Sequence, residues 1–489
     1  MLRYISTKGG VPPVDFEAAV LQGFAGDGGM FVPEMIPQIS ADQLQQWFNL
    51  SFMDLAFEIL SLFIDRSIIP ANDLKMLIEK SMGTFNHPDL IPVIPLGKDS
   101  NQFIMELFHG PTLSFKDVAM GFLVNTVDYF LDRKNEHVSL LVATTGDTGP
   151  AAAHASCGKK TIDCWTLYPS GFISEEQERQ MTTLEASNVH AVSVENCKDG
   201  GDDLDMVIAQ MFADKTLVEQ LHLSSVNSVN WCRVMFQAIH YFHGYFRTVD
   251  SVGEQVAFSV PTGAFGNLFG GYLAREMGLP VAAFICANNS NGVIHRIHET
   301  QHFSRESLKQ TVSSAIDIAL PYNYWRFLYF ATGQNPKTIQ DWMKTYQEKG
   351  TIRFDTPMMD KIKEGFLSAA ISDEETLSLI SETYQTHDNY LLDPHGAVAV
   401  AAAYKLKPNL DADIKIISLA TAHPSKFPDI TRRALNLDDG VMPDMGTHDS
   451  IELVKKRFQH IRVCDCSVLK SALEHGMLSV LENSCHSGS

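Results

Sequence analysis

The feature that most constrains the fold is an alternation of short apolar runs with glycine-rich turns or helical patterns, which begins at Phe103. The runs that fit one strand each are residues 138–142, 162–167, 256–260, 281–285 and 414–419. Such alternation is typical of a parallel sheet covered by helices, so the sequence predicts an α/β fold. Ligands in these folds bind beyond the carboxyl ends of the strands, which directs attention to the loops that follow the runs.

The length of the chain predicts more than one domain, because 489 residues exceed what a single hydrophobic core usually serves. Helical patterns at residues 52–64 and 71–82 predict an α-rich N-terminal domain over residues 1–101. The strand–helix alternation occupies residues 102–435, and the pattern fades in a C-terminal extension, residues 436–489.

Charge and hydropathy exclude two classes of partner. The net charge is −20 and no dense basic patch is present, which argues against nucleic acids and anionic membrane surfaces. No apolar run is long enough to span a bilayer, and the first residues lack a secretory signal pattern. We therefore expect a cytoplasmic protein that binds small molecules.

The cysteines indicate a reducing compartment. Eight of them are scattered along the chain, several within apolar runs, as expected for reduced thiols in a cytoplasmic protein. Cys464 and Cys466 are too close together for a standard zinc knuckle and have no companion pair in the sequence, so no metal site is predicted.

Lys116 occupies an unusual position for a lysine. It follows the Gly110–Pro111 turn and begins a predicted helix, because apolar residues recur every three or four positions from Ala119 to Leu131. The positive end of the helix dipole disfavours a cation and lowers the cost of a neutral amine. A neutral amine attacks aldehydes, which makes Lys116 a candidate Schiff-base lysine. The alternative is an ordinary solvated lysine after a turn.

Two loops after predicted strands are suited to anions. In the first, Thr145, Gly146, Asp147 and Thr148 offer hydroxyls and backbone amides at a helix start, which suits a carboxylate or phosphate. The same residue types also cap helices that bind no ligand. The second loop brings backbone amides together for a phosphate through Gly263, Ala264, Phe265, Gly266 and Asn267. It matches neither the P-loop nor the dinucleotide fingerprint, so a compact phosphorylated cofactor is expected.

Two further motifs are weaker. Thr421 follows the last predicted strand, where its hydroxyl suits a hydrogen bond to a heterocycle nitrogen or simply ends the strand. Ser6, Thr7 and Lys8 precede two glycines and combine hydroxyls with a cation, as an anion site requires, although an ordinary turn has the same composition.

In order and spacing, these motifs resemble the threonine synthase family. The likeness runs from residue 4 to about residue 428. Besides the motifs above, it rests on residues 106–117, 168–169, 180–183, 227–231, 321–323, 393–396 and 421–427. The resemblance implies a pyridoxal 5'-phosphate enzyme of fold type II, similar to tryptophan synthase β. Such an enzyme has an α-rich N-terminal domain and two parallel-sheet subdomains within residues 102–435.

The resemblance also implies roles for individual residues. Lys116 becomes the catalytic lysine that forms a Schiff base with the cofactor, Phe115 lies near the cofactor ring, and Thr421 faces the pyridine nitrogen. The cofactor phosphate is expected at Gly263, Ala264, Phe265, Gly266 and Asn267. The family substrate is O-phospho-L-homoserine, whose carboxylate is expected at Thr145, Gly146, Asp147 and Thr148. Its phosphate is expected at Ser6, Thr7, Lys8 and Arg233.

Several positions differ from the family pattern. Lys8 replaces an arginine, Phe172 stands where a basic residue is common, and the remaining departures are Pro150, Ala264, Asn267 and Gly292. The lysine and threonine expected at the cofactor are unchanged. The departures therefore bear on the substrate and product more than on the cofactor.

The leading prediction is threonine synthase activity in threonine biosynthesis. A carbon–oxygen lyase of this type converts O-phospho-L-homoserine and water to L-threonine and phosphate by γ-elimination and β-replacement. The alternatives are a phospho-lyase that releases 2-oxobutanoate, an enzyme acting on another phosphorylated or phosphonate amino acid, and a non-catalytic binding protein. The expected oligomeric state is a monomer or homodimer.

Overall fold

The computed structural model describes residues 1–97, 101–198 and 200–486. Residues 487–489 of the predicted C-terminal extension lie outside the described residues. The first part of the chain contains β1 (Tyr4–Ser6), α1 (Phe16–Gln22), β2 (Phe31–Pro33), α2 (Ala41–Trp47), α3 (Phe52–Phe63), α4 (Ala71–Met82) and β3 (Val93–Pro95). The helices predicted at residues 52–64 and 71–82 are thus confirmed as α3 and α4.

The middle of the chain alternates strands and helices, as the sequence predicts. Its elements are β4 (Gln102–Glu106), α5 (Lys116–Lys134), β5 (Val138–Ala143), α6 (Thr148–Ser156), β6 (Ile162–Pro169), α7 (Glu175–Thr182), β7 (Val189–Glu195), α8 (Gly201–Ala213), α9 (Lys215–Leu221), β8 (Leu223–Ser224) and α10 (Trp231–Thr248). These are followed by β9 (Val256–Pro261), α11 (Gly266–Glu276), β10 (Val281–Asn288), α12 (Val293–Thr300) and β11 (His302–Ser304).

The last part is mainly helical, and two of its strands, β13 (Phe366–Ala370) and β14 (Lys415–Ala420), belong to the six-stranded sheet described below. It contains α13 (Tyr324–Ala331), α14 (Pro336–Lys349), β12 (Thr351–Arg353), α15 (Thr356–Lys363), β13 (Phe366–Ala370), α16 (Asp373–Thr386), α17 (Pro394–Leu406), β14 (Lys415–Ala420), α18 (Pro428–Leu435), α19 (Asp449–Lys455), β15 (Arg462–Asp465) and α20 (Leu469–His486). In the described part of the chain, no helix has the length and apolar character needed to cross a bilayer.

Two sheets carry the α/β architecture. The six-stranded sheet has the order β13-β10-β9-β14-β4-β3, and only its edge strand β3 runs antiparallel to its neighbour. The five-stranded sheet has the order β15-β7-β6-β5-β8 and is parallel throughout. The five strands predicted from apolar runs are confirmed as β5, β6, β9, β10 and β14, and the predicted fold class of two parallel-sheet subdomains is confirmed.

Helix α10 forms the centre of the core. Its first turn is capped by Asn230, whose side chain accepts a hydrogen bond from the Cys232 amide, and nearly all of its side chains are buried. One continuous hydrophobic cluster joins Tyr4 and Phe63 of the N-terminal region to Phe130 and Trp231. The N-terminal region is therefore packed onto the α/β region that follows it. The boundaries at residues 101 and 435 stay predictions.

Candidate active site

A cavity of about 1260 Å³ lies beside residues that follow β5, β9 and β14. Because ligands of parallel α/β folds bind beyond the carboxyl ends of strands, this is the place that the sequence predicts for a site. The cavity is lined by both predicted glycine-rich loops, by Lys116 and by Thr421. Motifs that are far apart in the sequence thus meet around one space.

Three helices begin at the cavity. Helix α5 begins at Lys116, α6 at Thr148 and α11 at Gly266, and no side chain caps the first turn of any of them. The first backbone amides of a helix have no partner inside the helix, and the helix dipole adds partial positive charge there. The cavity is therefore built to attract anions.

Lys116 lies in the first turn of its helix, as predicted. Its exposed part faces the cavity, and Nζ lies 4.2 Å from the centroid of the Phe115 ring. Burial, together with the positive charges of Arg233 and Lys426 and against the charge of Asp147, lowers the pKa of Lys116 to about 7. A substantial fraction of Lys116 is therefore a neutral amine near neutral pH.

The turn before Lys116 is fixed by Asp117. This buried carboxylate accepts hydrogen bonds from the Thr112 amide at 2.9 Å and the Thr112 hydroxyl at 2.7 Å. Burial raises the pKa of Asp117 to about 6, and the hydrogen bonds from Thr112 oppose this rise. Gly110 is needed because a Cβ there would lie 2.4 Å from Cβ of Asp117. The same contacts that close the turn therefore orient Lys116.

The loop predicted to bind a phosphate lines the cavity along its whole length. Gly263, Ala264, Phe265, Gly266 and Asn267 all contribute to the wall. Phe265 adopts the left-handed backbone conformation, with φ at 64°, which is uncommon for a residue with a side chain. Its ring packs against Tyr324 and Phe327 with centroid distances of 5.1 and 5.7 Å. This packing stabilises the uncommon backbone conformation of Phe265 in the cavity wall.

The cavity wall contains buried polar atoms without hydrogen-bond partners among the described residues. These atoms are Asn227 Oδ1, Arg233 Nε, Gln237 Oε1 and Asn267 Nδ2. Buried polar groups are normally paired, so such a set indicates a polar ligand. Gly263 is needed for packing, since a Cβ there would lie 3.0 Å from Cα of Ile316. Two donors, two acceptors and an anion cradle fit a phosphorylated heterocycle such as pyridoxal phosphate.

Arg233 is the strongest of these signals. Its side chain is 1% exposed, Nη1 donates to the Val226 carbonyl at 3.2 Å, and no described carboxylate forms an ion pair with it. Burial lowers the pKa of Arg233 to about 10. A buried guanidinium without a counterion is costly, so we expect an anion to bind there.

The loop predicted to hold a substrate carboxylate also lines the cavity, through Thr145, Asp147 and Thr148. The Asp147 carboxylate, however, accepts from Gln177 Nε2 at 2.9 Å and forms an ion pair with Lys426 at 2.7 Å. Gly146 has a φ of 148° beside Gln177, so it supplies the turn. A carboxylate repels another carboxylate, which leaves backbone amides and threonine hydroxyls as the groups suited to the substrate.

Two residues next to the cavity were given no role by the sequence. His395 lines the cavity, contacts Asp393 Oδ1 through Nδ1 at 2.8 Å, and accepts from the Ala315 amide through Nε2 at 3.1 Å. Lys426 is fully buried. Both lie inside motifs that carry the family resemblance, which was the signal available for them. Thr421 lines the cavity as predicted, and its carbonyl accepts from the Phe115 amide at 2.8 Å.

Ser6, Thr7 and Lys8 do not line the main cavity, although Lys8 Nζ lies close to Gly28, which does. Lys8 lines a second cavity of about 430 Å³, which shares Arg305, Leu320 and Tyr322 with the main cavity. The Ser6 hydroxyl donates to Asp27 at 2.8 Å, and the Thr7 hydroxyl accepts from the Met30 amide at 3.1 Å. Ser6 and Thr7 therefore shape the turn that presents Lys8, and their contact with a substrate stays a prediction.

Comparison with known proteins places the chain in a family. Residues 3–82 match the threonine synthase N terminus, residues 90–422 match the pyridoxal-phosphate dependent enzymes, and residues 396–472 match the C-terminal part of threonine synthase. The threonine synthase of Schizosaccharomyces pombe is 37% identical over 466 residues, covering 89% of this chain and 90% of that protein. The chain belongs to the threonine synthase family.

Other members of the family show the same relationship. Threonine synthase-like 2 of Xenopus laevis is 38% identical over 461 residues, covering 94% of this chain and 95% of that protein. The crystal structure of pyridoxal-phosphate-bound threonine synthase from Brucella melitensis matches with a TM-score of 0.88 and 34% identity, covering 97% of this chain and 99% of that chain. This threonine synthase family member is therefore a fold type II, pyridoxal-phosphate-dependent carbon–oxygen lyase that acts on a small molecule. The non-catalytic alternative is set aside.

Proposed function

We propose that this family member converts O-phospho-L-homoserine and water to L-threonine and phosphate. One observation carries the proposal. Lys116, whose pKa is about 7, meets three uncapped helix starts and the Arg233 guanidinium in one cavity, and Arg233 has no carboxylate partner among the described residues. The substrate carries two anionic groups, a carboxylate and a phosphate. Its amine is attached to the α-carbon, which carries the proton to be removed. The cavity offers more than one place for an anion and one base.

Pyridoxal phosphate, when bound, supplies an aldehyde for the substrate amine and a ring that accepts electrons from the α-carbon. Residues 263–267 would hold its phosphate through their backbone amides, and the Thr421 hydroxyl would be the partner of the pyridine nitrogen. A neutral hydroxyl leaves that nitrogen less protonated than an acid would. This favours elimination and replacement over transamination.

The protein groups then bind and move protons. The amides and hydroxyls of Thr145 and Thr148 hold the carboxylate, and Arg233 or Lys8 holds the phosphate. Lys116 Nζ, when free, takes the proton from the α-carbon, because its lowered pKa provides a base at neutral pH. Over the whole reaction the γ-carbon loses phosphate and gains a proton, while the β-carbon loses a proton and gains the hydroxyl of water.

A phospho-lyase is the second candidate, and a specific observation supports considering it. The chain is as similar to threonine synthase-like 2 as to threonine synthases, at 38% and 37% identity. Of the positions that depart from the family pattern, Ala264 and Asn267 line the main cavity and Lys8 lines the second, whereas Phe172 and Gly292 line neither. A phospho-lyase acting on the same substrate would release 2-oxobutanoate, ammonia and phosphate.

Product analysis separates the two candidates. Purified, cofactor-loaded protein is incubated with O-phospho-L-homoserine, and phosphate, L-threonine and 2-oxobutanoate are followed together. Threonine formed in step with phosphate supports the synthase. Phosphate with 2-oxobutanoate identifies a phospho-lyase, and the absence of phosphate release refutes this substrate. The variant Lys116→Ala is the control, since any turnover that it retains is not catalysed by the proposed base.

A further inference from the structure

Three potential metal ligands converge outside the cavity, where the five-stranded sheet meets the C-terminal extension. Cys197 follows the end of β7 by two residues, Cys466 directly follows β15, and Asp203 lies in the first turn of α8. Their ligand atoms, two sulfurs and a carboxylate oxygen, all lie within 4.8 Å of one another. Cys466 thus lies close to Cys197 in space, although the two cysteines are far apart in the sequence.

The backbone brings these groups together. Strand β15 pairs in parallel with β7, with Asp465 opposite Glu195, so the carboxyl ends of the two strands lie side by side. Asn196 Nδ2 donates to Asp465 Oδ2 at 2.6 Å directly beside the two cysteines. The Lys198 amide donates to Asp203 Oδ2 at 2.6 Å, which orients the third group. The arrangement therefore rests on a strand ladder and hydrogen bonds.

We propose that Cys197, Asp203 and Cys466 bind a zinc ion. Two thiolates and a carboxylate are ligands that zinc accepts, and thiolates select it over magnesium or calcium. Three protein ligands leave a fourth tetrahedral position for water. This site differs from a group of surface acids because it contains two cysteines, and a carboxylate oxygen lies within 4.8 Å of both sulfurs.

The site lies where it would join separate parts of the chain. Leu469, Leu473 and Met477 of the C-terminal extension belong to the same buried cluster as Val192 and Val194 of β7. The first turn of α8, which carries Asp203, starts at Gly201, and Gly201 lines the active-site cavity. A zinc ion would therefore link β15 to β7 and to the start of a helix in the cavity wall.

Zinc titration of the cofactor-loaded full chain tests the proposal. The protein is freed of metal and then dialysed against zinc, and bound zinc is measured by elemental analysis. We expect a single equivalent per chain, at least tenfold weaker binding in Cys197→Ser, Cys466→Ser and Asp203→Asn, and a rise in Tm with zinc that these variants lose. Cys157→Ser is the matched control, because Cys157 is an exposed thiol elsewhere and its loss leaves binding unchanged.

Cobalt provides a readout that needs no variant. Cobalt bound at the site in the unmodified chain gives a thiolate-to-metal charge-transfer band, and zinc displaces it. The absence of that band, equal zinc binding by Cys197→Ser, or a Cys197–Cys466 disulfide in protein purified without reductant would each overturn the proposal. All of these readouts are independent of the substrate and of the product analysis.

Discussion

The Lys426 ammonium lies 2.7 Å from Asp147 Oδ1, and both side chains are buried, at 0% and 3% exposure. The same ammonium donates to the Thr112 carbonyl at 2.9 Å. Lys426 thereby connects three segments that surround the cavity: the turn before Lys116, the loop before α6 and the loop after β14. It fixes their relative positions and adds positive charge near Lys116.

Replacing Lys426 with methionine is expected to destabilise the protein and to weaken substrate binding. Methionine fills a similar volume but leaves the Asp147 carboxylate buried without its cation, which costs about 3–5 kcal/mol of unfolding free energy. The loop with Thr145 and Thr148 loses its anchor, so KM should rise more than kcat falls. Urea unfolding and steady-state kinetics measure the two effects.

The double variant Lys426→Met, Asp147→Asn is the control for this prediction. It removes the unpaired charge, so most of the lost unfolding free energy should return, while KM stays high because the anchor is still missing. If Lys426→Met alone is as stable as the parent protein, the pair does not hold these loops.

The parts of the site that could be predicted from the sequence are those that lie within a local strand–turn–helix pattern. Lys116, the loop from Gly263 to Asn267 and Thr421 each lie at a strand or helix end, so a strand–turn–helix pattern locates them. The Lys426–Asp147 pair joins residues far apart in the chain, and no spacing rule connects them. Strand β15 was missed because it is a short, largely exposed edge strand, and with it the neighbours of Cys466.

The rate of cofactor capture by the cofactor-free protein should depend on pH through Lys116. Only the neutral amine attacks an aldehyde, and the pKa of Lys116 is lowered to about 7. Below this pH the charged form dominates and capture is slow; the rate rises through about pH 7 and then levels off. Stopped-flow absorbance after mixing with pyridoxal phosphate measures it. A rate that keeps rising about tenfold per pH unit up to pH 9 would contradict the lowered pKa.

Replacing Arg233 with glutamine is expected to change both anion binding and this pH profile. Loss of a charged hydrogen-bond donor should weaken binding of the substrate phosphate by about 1.5–3 kcal/mol, roughly tenfold to a hundredfold. The Arg233 charge also lowers the pKa of Lys116, so the capture profile should move to higher pH. Arg66→Gln, at an exposed arginine outside the cavity, should change neither quantity. An unshifted profile would show that the two charges do not interact.

Lys8 tests whether the second cavity takes part in substrate binding. Lys8→Ala should raise KM for the phosphorylated substrate about tenfold, because a charged partner of the phosphate is lost. It should change the dissociation constant of pyridoxal phosphate much less, since Lys8 does not line the main cavity. Lys337→Ala, at an exposed lysine of α14 that lines neither cavity, is the control.

The variant Lys8→Arg tests the same contact in the opposite direction. An arginine offers two parallel donors to a phosphate, where lysine offers a point charge. If Lys8 binds the substrate phosphate, Lys8→Arg should retain the parent KM or lower it, while Lys8→Ala raises it. If Lys8→Ala weakens cofactor binding more than it raises KM, the second cavity is not a substrate site, and Arg233 remains the only proposed cation for the phosphate.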